Sequence, residues 1–267
     1  MLKLYAIVFF LLQTILFAKE YYAKVEPYEI RTVSSNVSGL VVFADEQKEG
    51  RVLGAKEYIV IDDALDGEEL RRIEEKLASL KRTLRFNKRL LQNYREMLER
   101  KERNYEKIKG LKIKSSVEKD REFYDLVVTK NRMLDIEKES DALLRQQSDL
   151  LHRAALLKRT IADKHISDRG YVLYALHVKE HQFVSPGTPL AQIADISKAI
   201  VTIFVSKKEI ADIARKTIYL DGKKSDYKVS RYSTIADTKH LSGYKVQIIV
   251  DAPKIFSKLM RVELKDE

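Results

Sequence analysis

Residues 68–110 read EELRRIEEKLASLKRTLRFNKRLLQNYREMLERKERNYEKIKG, and their spacing decides the architecture. Leu70, Leu77, Leu84, Leu91, Leu98 and Tyr105 recur every seven residues. Ile73, Leu80, Tyr94 and Ile108 fall on the second heptad seam, interrupted by Asn87 and Lys101. With Arg, Lys and Glu on the outer positions, this is an a/d pattern sustained over roughly six heptads, as in a coiled coil. From Glu68 to Lys164 there is no proline, and Gly110 is the only glycine. Gly110 breaks the helix, and Ser115 with Glu118 three residues on reads as a capping box opening a second helix. The return arm carries Ile136, Leu143, Leu150 and Leu157 on one seam and Met133, Ala154 and Ile161 on the other, diluted by Ser140 and Gln147. Apolar residues between Phe123 and Val128 do not fit that frame, which predicts a phase shift there. Arms of about 43 and 49 residues would span roughly 65–75 Å at ~1.5 Å per residue. Two single-seam arms offer too narrow an apolar face to be wrapped on several sides, which favours a projecting antiparallel hairpin over a bundle packed on a globular body.

Short β segments punctuated by glycine flank this insertion. Before it come Ser38-Gly39-Leu40-Val41-Val42 and Glu49-Gly50-Arg51-Val52-Leu53; after it come Arg169-Gly170-Tyr171-Val172 and Ser185-Pro186-Gly187-Thr188-Pro189-Leu190. If both flanks form one β domain, Val41 and Val172 share a core across the insertion. Further on, Ala199 to Val205 alternates as a strand, and Lys207 to Lys216 reads as a short helix with Ile210, Ile213 and Ala214 inward. Strands follow at Thr217–Leu220, Tyr227–Tyr232 and Tyr244–Val250, with turns at Asp221-Gly222 and Ser242-Gly243. Several short strands with one helix predict a small barrel ending near Pro253. The dozen or so residues beyond are too few for another folded domain.

The amino terminus addresses the chain. Lys3 precedes an apolar run from Leu4 to Phe17, broken only by Gln13 and Thr14, then Ala18 before Lys19-Glu20. That length suits a signal-peptide core and is short for a bilayer span of about 20 residues. Cleavage after Ala18 is the favoured reading, with an uncleaved anchor as the alternative; Leu16 occupies the position that usually takes a small residue. There is no cysteine, which excludes disulfides, cysteine-ligated metal and a lipidated amino-terminal cysteine.

Charged residues make up 34% of the chain and the formal net charge is +10. Basic residues alternate with Glu and Asp along the arms, as on a solvated coiled-coil face, so no nucleic-acid partner is expected. A cluster of Lys107, Lys109, Lys112 and Lys114 makes the hairpin turn a basic tip. Nothing points to an enzyme or a cofactor. Asp62-Asp63 sits where the chain enters a helix, where acidic residues complement the dipole. His177 and His181 are spaced i,i+4 but fall on a strand and turn, with no third ligand, so no metal site is expected.

The whole mature chain resembles the periplasmic adaptor proteins, or membrane fusion proteins, of bacterial tripartite efflux and secretion systems. The carriers are the two half-motifs of a lipoyl-like domain flanking an α-hairpin, then Pro189-Leu190-Ala191-Gln192-Ile193-Ala194-Asp195 leading into Val201-Thr202-Ile203-Phe204-Val205-Ser206. The second half-motif, Gly170-Tyr171-Val172 through Val184-Ser185-Pro186-Gly187, is close to the family pattern; the first is abbreviated. The lysine that true lipoyl carriers modify has no counterpart, since Ile61-Asp62-Asp63 and the hairpin occupy its place.

The resemblance implies an α+β chain: signal peptide 1–18, first lipoyl half-motif 19–64, hairpin 65–165, second half-motif 166–196, barrel 197–253 and a tail 254–267, without the full membrane-proximal domain many members carry. It implies a periplasmic protein held at the inner membrane through its partner or an uncleaved amino-terminal segment. The expected partners are an inner-membrane transporter (proton-driven or ATP-driven), an outer-membrane channel and further copies of itself in a ring, commonly hexameric. In members with a short-loop hairpin the tip meets the channel through an arginine, a leucine four residues on and a serine seven further. Here Ile108 and Ser115 match the last two, while Asn104 holds the arginine position and Arg103 lies one residue earlier. The candidate docking site is therefore Arg103, Asn104, Lys107, Ile108, Gly110, Lys112, Lys114 and Ser115. The competing reading is an exported coiled-coil scaffold of the cell envelope.

Overall fold

A computed structural model of the chain describes residues 19–237 and 243–266. The expected signal peptide, and Ser242 of the expected turn, lie outside the described residues. In chain order the strands are β1 (Glu20–Ser34), β2 (Gly39–Ala44), β3 (Ile59–Ile61), β4 (His165–Ile166), β5 (Val172–Leu176), β6 (Phe183–Val184), β7 (Pro189–Val205), β8 (Thr217–Leu220), β9 (Lys223–Lys224), β10 (Val229–Ala236), β11 (Tyr244–Asp251) and β12 (Leu259–Lys265). The helices are α1 (Ala64–Lys109), α2 (Ser116–Lys164) and a single turn, α3 (Lys207–Ile210).

The lipoyl-like sandwich is split as expected. One layer is β4-β3-β2-β6, and β1, β7 and β5 supply the other. Val41, Ile59 and Ile61 from before the hairpin share one buried cluster with Leu173, Val184 and Leu190 from after it. Val172, expected inside, is only half-buried; Leu173 is fully buried in its place. Side chains alternate across a strand, so a one-residue error in reading the parity exchanges the two faces. Gly39 is fixed by close approach, because a Cβ there would stand 2.5 Å from Ile61 Cγ2.

β1 and β7, of 15 and 17 residues, pair antiparallel and run without a break from the sandwich into the barrel. The expected boundary near residue 196 thus falls inside a continuous strand. The carboxy-terminal residues are not a tail. β12 pairs with the start of β1 (Tyr21 opposite Val262) and with β8 (Leu264 opposite Ile218), and Val262 and Leu264 are buried in the barrel core with Val25, Val201, Ile213 and Ile248. Tyr21, Ala23 and Val25 alternate on β1 as Val262 and Leu264 do on β12, and that period-2 pattern is the reason both ends of the chain enter the sheet. The predicted helix over Lys207 to Lys216 divides into α3 and a short 3₁₀ turn (Ile213–Arg215); Ile213 is buried, whereas Ala214 is exposed.

Cross-strand partners hold the root of the hairpin. Lys164 Nζ donates to the Asp62 carbonyl at 2.6 Å and pairs with Asp66, while His165 Nε2 lies 3.0 Å from Asp63 Oδ2. Asp62 Oδ1 accepts the Ala64 N–H at 3.1 Å, so it satisfies one of the free donors opening α1. Asp62 and Asp63 thus anchor the hairpin and do not form a carboxylate pair.

Candidate functional site: the hairpin and its tip

The arms contain 46 and 49 residues and pair along their length. In α1 the side chains turned from solvent include the expected Leu84, Leu91, Leu98 and Tyr105, and also Asn87 and Lys101. The polar interruptions therefore stay on the seam. Asn87 Nδ2 lies 3.4 Å from Ser140 Oγ, and Lys101 Nζ lies 2.7 Å from Asp125 Oδ2 across the pair. The expected phase shift in α2 is absent. The seam runs through Glu122, Leu126, Thr129 and Met133 in unbroken heptad spacing, and Phe123, Tyr124 and Val128 lie exposed beside it. Thr129 takes a buried place because its hydroxyl donates to the Asp125 carbonyl at 2.8 Å, which removes the cost of burying it unpaired.

At the tip, α1 ends at Lys109 and Gly110 follows; the Leu111 N–H returns to the Ile108 carbonyl at 3.0 Å. Ser115 caps α2 in a full capping box. Its hydroxyl accepts the Glu118 N–H at 3.3 Å, and Glu118 Oε2 accepts the Ser115 N–H at 3.0 Å and its hydroxyl at 3.1 Å. The Ser115 hydroxyl therefore spends its proton inside the chain and keeps only acceptor capacity for a partner. Hydrogen bonding from Lys114 and from both the N–H and the hydroxyl of Ser115 holds the Glu118 carboxyl down at about 2. Lys114 pairs with it at 3.0 Å and Lys109 with Glu106 at 3.6 Å, while Lys107 and Lys112 have no acidic partner among the described residues. The tip keeps a net positive surface.

The candidate residues sit together but face differently. Ile108 is half-buried on the seam and does not project. Arg103 reaches toward Glu99 at 3.7 Å and Asn104 is exposed, so Arg103 does not take over the position that Asn104 holds. Sequence reading passed over the apolar side chains that do project, Ile113 (90% exposed) and Val117 (75%). Their exclusion from both heptad seams was the available signal.

No protein-family model matches the sequence, and no curated protein does. Solved structures of similar shape exist. MacA from Actinobacillus actinomycetemcomitans superposes with a TM-score of 0.68 at 17% identity, covering 93% of this chain and 79% of MacA. A MacA–MexA chimera carrying the Pseudomonas aeruginosa MexA α-hairpin gives 0.63 at 15% identity, covering 94% of this chain and 83% of the chimera. The membrane fusion protein Spr0693 from Streptococcus pneumoniae R6 gives 0.60 at 8% identity, covering 94% and 100%. The chain has the fold of the membrane fusion proteins.

Proposed function

We propose that this protein is a periplasmic adaptor that bridges an inner-membrane transporter and an outer-membrane channel for the export of small molecules or other cargo, as one copy in a ring. The observation that carries the reading is the split body: strands on both sides of the insertion close one core, and the hairpin leaves that core as a rigid pair with a basic, apolar-tipped end. Such a device holds two surfaces apart. The likeness in fold to MacA and Spr0693 supports the same reading. The barrel end, where both ends of the described chain lie, would face the transporter, and the tip would face the channel. Among the described residues no helix is long and apolar enough to cross a membrane. In this reading the chain is held at the inner membrane through its partner or through an uncleaved amino-terminal segment.

The test is site-specific photocrosslinking in cells from Lys112 and Ile113, read together with export. Crosslinks to an outer-membrane channel, lost along with export when Ile108→Asp and Ser115→Arg are combined, support the adaptor reading. Full export by that well-expressed double variant sinks the tip as the docking site. Crosslinks only to soluble envelope proteins, with no export phenotype on deletion, favour the scaffold.

A further inference from the structure

β7 has two different neighbours along one edge. β5 pairs with it from Ala191 to Ala194 and β11 from Lys198 to Val205, so residues 195–197 have no strand beside them on that edge. At the same height the register between β1 and β7 shifts between Pro27 and Glu29, an irregularity that bends the long strands. The waist between sandwich and barrel therefore opens instead of continuing as one sheet. The segment from Ala252 to Lys258 covers the opening. It links β11 to β12, which β7 and β1 separate in the sheet, and Val25 pins it. The Ser257 N–H donates to the Val25 carbonyl at 2.8 Å, and the Val25 N–H to the Lys258 carbonyl at 2.9 Å. Ser257 is held there at a φ of 66°, a left-handed conformation that residues other than glycine rarely adopt.

The result is a cleft of about 380 Å³. Small-molecule sites usually measure ~300–1,000 Å³ and favour junctions between domains. The lining is largely apolar, with Ile30, Val172, Tyr174, Ile196, Pro253 and Phe256 contributing to it. Ile30 is 46% exposed and Tyr174 55%, so this apolar surface stands in water. Side chains alternate across β7, so Ala194 and Ile196 turn to the cleft and Asp195, between them, turns away. The charged side chains of the lining are Lys24, Lys254 and Glu26. None of the three forms an ion pair among the described residues, so two ammonium groups stand at the cleft against one carboxylate. A lysine can lay its apolar stem along such a wall and keep its charged head at the mouth.

From this we infer that the cleft is a binding site for a small amphipathic carboxylate, with an apolar body of fatty-acid or aromatic-acid size in the cleft and one acidic head met by Lys24 and Lys254. The volume suits a small molecule, the apolar lining gains from being covered, and the charge at the mouth favours an anion over a cation. The inference goes beyond the adaptor reading and does not depend on it, because the cleft is built wholly from the body of one chain and lies away from the hairpin tip.

The test is calorimetric titration of the full chain with three probes that share an eight-carbon tail and differ in the head: octanoate, octanol and octyltrimethylammonium, each below its micelle-forming concentration. Octanoate should bind once per chain and at least tenfold more tightly than octyltrimethylammonium, with octanol between them. Ile30→Asp, a change at an exposed side chain, should weaken both octanoate and octanol at least tenfold. Lys24→Glu combined with Lys254→Glu should weaken octanoate about tenfold and leave octanol within twofold. Octanoate carrying a diazirine at the end of its tail should label peptides that contain Tyr174 or Phe256 in the unmodified chain. Equal binding of the cationic probe overturns the carboxylate. Octanoate binding unchanged by all three replacements, or labelling confined to the hairpin, overturns the site, and the absence of saturable octanoate binding overturns the inference as a whole. A chain that binds octanoate in this way but gives no crosslink from Ile113 to a channel sinks the adaptor reading alone.

Discussion

Asn87 and Ser140 face each other across the hairpin seam, with Asn87 Nδ2 3.4 Å from Ser140 Oγ and Asn87 almost wholly buried. Ser140 does not depend on that contact, because its hydroxyl also donates to the Ile136 carbonyl at 2.7 Å. A polar layer in an apolar seam fixes register at a cost in stability. Asn87→Leu therefore leaves no orphaned group and should stabilise the hairpin by about 1 kcal/mol, whereas Asn87→Asp should destabilise it by a similar amount or more. Urea denaturation followed by circular dichroism measures both; a destabilised Asn87→Leu would show that the layer contributes more than register.

The seam is not uniform. Toward the root, Ile73, Leu77 and Ala154 are buried and packed with Leu70, Leu150 and Leu157, while toward the tip the layers include Lys101, Glu122 and Thr129. Leu77→Asp should cost about 3–4 kcal/mol and Leu91→Asp, which is half-buried, about half as much. Hydrogen exchange of the unmodified protein should show protection falling from root to tip, since local opening follows the density of buried apolar contacts. Equal protection along both arms would refute that gradient.

The heptads of α1, the capping box at Ser115 and the glycines of the half-motifs were legible because each is a local pattern with one geometric solution. The continuity of the α2 seam was not. Glu122 and Thr129 hold seam positions while Phe123, Tyr124 and Val128 stand outside, so hydrophobicity pointed the wrong way; the spacing back from Met133 and Ile136 was the better guide. The ends of the chain were misjudged for a different reason. Neither β1 nor β12 has a distinctive run, and their alternation acquires meaning only when Tyr21 is set opposite Val262, a pairing across nearly the whole length of the sequence. The turn between the arms falls where Gly110 and Ser115 predict it, but which side chains project there depends on the seam, and so Ile113 stands exposed while Ile108 is half-buried.

The amino-terminal strand is tied to α3 by an ionised carboxyl. Tyr21 Oη donates to Glu209 Oε1 at 2.5 Å, Ser206 Oγ to Oε2 at 2.5 Å, and Lys19 Nζ lies 3.2 Å from Oε2. Partial burial opposes ionisation of Glu209, but the hydrogen bonds from Ser206, Tyr21 and Lys19 outweigh it and bring the group down to about 2. Because the folded value lies below the unfolded one, the stabilisation is fully present above the ordinary glutamate range and is lost as the pH falls toward 2. After allowance for solvent screening it amounts to about 1–2 kcal/mol. Glu209→Gln should lower the melting temperature at pH 7 and make little difference near pH 2, as measured by calorimetry. An equal loss at both pH values would mean that packing, and not charge, holds the strand.

The body should survive without its hairpin. Its core is complete once both flanks are present: Val41, Ile59 and Ile61 meet Leu173, Val184 and Leu190, and none of these lies in the arms. The roots of the arms are adjacent, since Lys164 Nζ reaches the Asp62 carbonyl at 2.6 Å. A short flexible linker therefore spans the gap, and closing a short loop costs little entropy. Removal of Leu70 to Ile161 with such a linker should leave a protein with dispersed amide resonances, far-ultraviolet dichroism dominated by strand, and a cooperative thermal transition. The deleted form should be unable to crosslink to a channel while keeping any contact made by the barrel end. A disordered spectrum would show that the arms take part in folding the body and do not merely project from it, and the separation of spacer from scaffold would then be wrong.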